Sequence, residues 1–94
     1  MMFEEKYYNN ILTTDDINNL NFIDFNKYSH LILIKFGNKY YNSMYEIKIN
    51  EFIKQNDEQT ISNNITYEIL TKYKESIIEK FGESFYNNKK LIYN

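Results

Sequence analysis

The chain has 94 residues, 43% hydrophobic and 26% charged, with a formal net charge of −2. These values exclude a disordered chain and suit one small domain. The absence of cysteine excludes disulfide frameworks and thiolate metal sites, and the absence of arginine together with the acidic balance speaks against a nucleic-acid reader.

In chain order, Phe3, Tyr7, Tyr8, Ile11 and Leu12 fall at helical spacing, with Glu4, Glu5 and Lys6 opposite them. The spacing predicts a short helix over 2–12. Thr13 or Thr14 can cap a further turn that begins with Asp15 and Asp16. Ile17 and Leu20 would face inward, and after Leu20 the pattern changes to Phe22, Ile23 and Phe25, which reads as a strand or an irregular apolar loop. The stretch HLILIKFGNKYYNSMYEIKI at 30–49 reads as a β-hairpin, because apolar residues alternate on both sides of Gly37-Asn38, a type II′ turn pair. One face would carry Ile32, Ile34, Phe36, Tyr41, Tyr45, Ile47 and Ile49. The other would carry Leu31, Leu33, Tyr40 and Met44. Asn50 can cap a short helix with Phe52 and Ile53 inward, before a polar loop from Gln55 to Gln59. Ile65, Ile69, Tyr73, Ile77 and Phe81 then recur every four residues, which predicts a long helix over 64–81 that ends at Gly82. The tail suggests a turn at Asn87-Asn88 and a last strand at 91–93. No internal repeat or interdomain linker is apparent in this reading. The expected fold is a single α+β domain over 1–94: an antiparallel hairpin extended to three or four strands, packed on one face by the long C-terminal helix and the short N-terminal one.

Composition bears on function as well. Ala, Arg, Pro, Val, Cys and Trp are absent, while fifteen Asn and ten Tyr are present, the bias of a very AT-rich genome. The N-terminus lacks a basic stretch followed by an apolar one, and the longest apolar run, Leu31 to Ile34, is far too short to cross a membrane. A soluble, cytoplasmic protein is expected.

Motifs that carry chemistry are scarce. His30 is the one histidine, placed by the hairpin opposite Tyr45 with no nucleophile beside it. Asp15, Asp16 and Asp24 could converge on a hard cation such as Mg²⁺, but they read more simply as helix-capping and loop residues. DFNKYS lacks the glycine and closing glutamate of a calcium loop, and two glycines cannot build a phosphate loop. Asn64-Ile65-Thr66 is a formal glycosylation sequon of a kind expected by chance in so Asn-rich a chain. IKFGNKYYNSMYEI resembles the FGxxFN element of FNIP repeats, in a single copy.

No catalytic residues, metal ligands or cofactor are assigned. What remains is a surplus of tyrosine, a residue favoured at interfaces. The partner-binding candidates are Leu31, Leu33, Tyr40 and Met44 on the second hairpin face, with Tyr86. They suggest a non-enzymatic protein-binding module, of the kind phages and mobile elements use to inhibit host defence proteins by covering a surface. The alternatives are a homo-oligomeric accessory protein, such as a dimer, and, further off, a carboxylate-based metal enzyme.

Overall fold

The computed structural model describes residues 2–93, and every regular element among them is an α-helix. The α+β expectation is thereby corrected, since the described residues contain no strand and no sheet. In order the helices are α1 (Phe3–Tyr8), α2 (Thr14–Asn18), α3 (Phe22–Lys27), α4 (Ser29–Phe36), α5 (Asn38–Gln55), α6 (Glu58–Asn64), α7 (Tyr67–Lys72), α8 (Lys74–Phe81) and α9 (Glu83–Tyr93).

Polar side chains mark many of the boundaries. Thr13, Asn21, Asp57 and Thr66 each cap a helix by accepting the backbone N–H three residues on, from Asp16, Asp24, Thr60 and Ile69 respectively. Thr13 and Asp16 complete a capping box, with the Thr13 N–H donating to the Asp16 carboxylate at 2.9 Å. The N-terminal helix is shorter than 2–12. It stops where Asn10 turns left-handed at φ 59°, while Asn10 and Ile11 donate to the carbonyls of Tyr7 and Lys6. That is a Schellman closure with Asn in the place usually held by Gly.

The hairpin expected over 30–49 is instead two helices, α4 and α5, meeting at a corner. Gly37 closes α4, its N–H donating to Leu33 O at 2.9 Å, and its carbonyl accepts from Tyr41 N at 3.1 Å to open α5. With φ 88° and ψ 169°, Gly37 occupies a region open essentially to glycine alone. The Gly-Asn pair is thus a helix corner, and the face pairing inferred from a hairpin falls with it. Asn50, Phe52 and Ile53 do not start a new helix; they are the last turns of α5. The helix predicted over 64–81 starts later, at Tyr67 after the Thr66 cap, since Asn64 ends α6 and Ile65 is extended; it is present as α7 and α8, broken at Tyr73 (φ −107°, ψ 31°), and ends at Gly82 as expected. The tail is helical through Asn87, Asn88 and Tyr93.

The chain divides into two compact units, Met1–Ile49 and Asn50–Asn94, with the boundary inside α5. In the first unit the core is Ile17 of α2, Phe25 of α3 and Ile32 of α4, all fully buried. Burying each is worth about 1.5–3 kcal/mol. Phe3, Tyr28, Phe36, Tyr40, Tyr41, Met44 and Tyr45 pack around this centre, and the Phe25 ring stacks on Tyr41 at 5.2 Å. In the second unit Ile61, Leu70 and Ile77 are fully buried, with Tyr86 and Tyr73 close behind.

These units repeat one another, which corrects the sequence reading of no internal repeat. KYSHLILIKFGNKYYN at 27–42 and KYKESIIEKFGESFYN at 72–87 are identical at eight of sixteen positions. At the same offset of 45 residues, α3 matches α7, α4 matches α8, and the start of α5 matches α9. Both FG pairs, Phe36-Gly37 and Phe81-Gly82, are helix corners. Gly82 repeats the geometry of Gly37, with φ 92° and ψ 164°. Phe36 meets Tyr40 at 5.0 Å between ring centroids, and Phe81 meets Phe85 at 4.9 Å. Lys27 lies over the Tyr28 ring at 5.3 Å, and Lys72 over the Tyr73 ring at 5.6 Å.

Polar clasps repeat as well. Lys35 donates to the Asn10 side chain just beyond α1, and the matching Lys80 donates to the carbonyls of Ile53 and Asn56 at 2.7 and 2.6 Å, and also to that of Lys54, around the end of α5. Lys48 holds Leu20 O at 2.6 Å, and the matching Tyr93 hydroxyl holds Ile65 O at 2.7 Å. Different donors thus satisfy the same orphaned helix-end carbonyls. The 18 residues of α5 approximate the eleven of α9 followed by the six of α1, because its first part closes one unit and its last part opens the other.

Candidate interaction surface

A repeat supplies its own control. Positions that agree between the copies and are buried build the frame; exposed positions that differ are free to serve something else. Ile32 and Ile77 are both fully buried, and Lys35 and Lys80 both clasp a preceding helix end. The exposed side of α4 differs sharply from that of α8. His30, Leu31 and Ile34 stand where α8 has Glu75, Ser76 and Glu79. On α3, Ile23 stands where α7 has Glu68.

Ile34 is 59% exposed and Ile23 47% exposed, whereas Leu31 is half-buried. Such residues gain nothing from water contact, and Glu79 and Glu68 show that the fold does not require apolar side chains there. In α4 the helical period puts His30 and Ile34 one turn apart on the same side, opposite Ile32 and Phe36, which face the core. The surface therefore has a stated frame: α3 and α4, held at one end by the Asn21 cap and at the other by the Gly37 corner.

The residues singled out from sequence fall in several environments. Leu31 belongs to this surface. Leu33 is half-buried and matched by the half-buried Ile78, the pattern of a frame position. Tyr40 and Met44 pack against the core of the first unit, and Tyr86 lies in the second unit at 4% exposure. The Tyr40 hydroxyl is buried without a hydrogen-bond partner, and this burial raises its pKa. Ile23 and Ile34 were missed, because a hairpin places Ile34 on the covered face. Comparing the two copies would have found both.

Titratable groups elsewhere serve the frame. Asp16 sits 2.6 Å from the Lys6 ammonium, and this bond, with the N–H of Thr13, holds its carboxyl down from 3.8 to about 2. Asp57 is lowered by the Thr60 N–H that it caps. Asp24 follows its own cap Asn21, so Asp15, Asp16 and Asp24 take no shared role, and no cluster of three or more potential metal ligands occurs among the described residues. His30 is exposed on α4, and its expected strand partner Tyr45 is on α5. No helix among the described residues is long and apolar enough to cross a membrane.

Comparison with known proteins found no matching family model, no matching curated protein and no matching solved structure.

Proposed function

We propose that this chain is a non-enzymatic protein-binding module that covers part of a partner's surface with α3 and α4. The observation that carries this reading is the exposure of Ile23 and Ile34 at positions where the second copy of the same fold carries Glu68 and Glu79. Exposed apolar residues that packing does not demand fit a surface buried on binding. An inhibitor encoded by a phage or mobile element is one such use, favoured by the AT-biased composition.

The test installs the residues of the second copy in the first. A Leu31→Ser/Ile34→Glu chain is expected to keep its helical circular dichroism, because Ser76 and Glu79 occupy the matching places in α8. It is also expected to lose the proteins that the wild-type chain retains from a lysate of its source cells. Identical retention by the two chains overturns the proposal. Light scattering separates the competing homo-oligomer: a discrete oligomer that the double substitution turns into monomer assigns this face to self-association.

A further inference from the structure

The charges around this surface suggest what kind of partner it takes, an inference that rests on the protein-binding reading above. Between Asn21 and Ser43 the exposed ionisable side chains are Lys27, His30 and Lys39, and the one acid, Asp24, is half-buried. The matching stretch of the second unit, 66–88, exposes Glu68, Glu75, Glu79 and Glu83 along with Lys72, Lys74 and Lys80. One turn before Lys72 stands Glu68, an i,i+4 spacing of opposite charges. One turn before Lys27 stands Ile23 in place of that glutamate. On α3 and α4 each exposed isoleucine has a basic or protonatable residue one turn away: Ile23 has Lys27, and Ile34 has His30.

We infer that α3 and α4 bind an acidic amphipathic helix of a partner protein, one whose apolar stripe is flanked by Asp or Glu. Its apolar side chains cover Ile23 and Ile34, and its carboxylates face Lys27, which has Ile23 one turn before it where Lys72 has Glu68. Charge complementarity of this kind sets partner choice and association rate, and salt screens it. An apolar segment flanked by Lys is repelled by the same groups.

The experiment uses the full chain and three synthetic amphipathic helices that share a leucine stripe and differ in their flanks, Glu, Gln or Lys, with binding read by fluorescence anisotropy. The Glu peptide is expected to bind, to weaken as salt rises, and to lose about tenfold in affinity on Lys27→Glu or Ile34→Glu. The Lys peptide is expected not to bind. Equal binding of all three peptides, or binding of the Glu peptide unchanged by both substitutions, overturns the inference. So does binding to vesicles of anionic lipid in place of the Glu peptide, which makes the site a membrane contact. If no peptide binds while lysate proteins are still retained in an Ile34-dependent way, the acidic chemistry is wrong and the protein-binding reading stands. If that retention is absent too, both fall.

Discussion

Tyr40 and Phe85 occupy matched places, and each ring packs on the phenylalanine one turn before it. The difference is a hydroxyl, which in Tyr40 is buried without a hydrogen-bond partner. Removing such a group leaves the packing intact and relieves its desolvation, so Tyr40→Phe is expected to stabilise the chain by up to about 1 kcal/mol, read as a higher urea midpoint. Asp16 predicts a pH dependence. Its folded-state pKa of about 2 lies below the ordinary 3.8, so its contribution is fully present above 3.8 and is lost as pH falls through about 2. Over that window the unfolded chain takes up a proton before the folded one does. Asp16→Asn is expected to lower stability at neutral pH and to flatten the acid limb of a stability–pH curve. If the limb keeps its slope, the link between Lys6 and Asp16 is not a source of it.

At the scale of the helix, the two glycine corners carry the repeat. Apart from the glycine and its two chain neighbours, no heavy atom lies within 4 Å of a Cβ built on Gly37 or Gly82, so the cost of a side chain there comes from backbone conformation and not from collision with the rest of the fold. Gly37→Ala and Gly82→Ala are each expected to cost about 1–3 kcal/mol, measured by thermal or urea unfolding. A much smaller loss means that the corner relaxes into another conformation. Element signals were legible where polar residues punctuate the chain: the Thr13 cap, the apolar period over 64–81 and the stop at Gly82. The stretch 30–49 was not legible. Leu31 to Ile34 is continuously apolar and so has no readable period. Its isoleucines, favoured by codon bias, look like strand formers. Gly-Asn serves a helix corner as readily as a tight turn.

Across the whole molecule the duplication resolves that ambiguity. The second copy carries Lys74, Glu75 and Glu79 where the first has Ser29, His30 and Ile34, and those polar residues reveal the helical period that the first copy hides. Sharing eight of sixteen residues, the two stretches take the same conformation, although the apolar pattern of the first suggests strands and that of the second a helix. The residues that obscured the fold of the first copy are the ones proposed to bind, a conflict between local pattern and structure of the kind expected at functional surfaces. It follows that Leu31→Ser/Ile34→Glu should melt within a few degrees of wild type. A large drop places those side chains in the frame and removes the basis of the proposed surface.

The glycine corners also bear on handedness. A backbone at φ 88° and ψ 169° is, in mirror image, an ordinary extended residue. On backbone grounds, a D-alanine introduced by chemical synthesis at position 37 or 82 meets none of the strain that L-alanine would. It would also restrict the unfolded chain more than glycine does. Among the genetically encoded amino acids only glycine, which has no handedness, can turn this corner freely, and so both halves of the molecule depend on a residue that translation cannot replace.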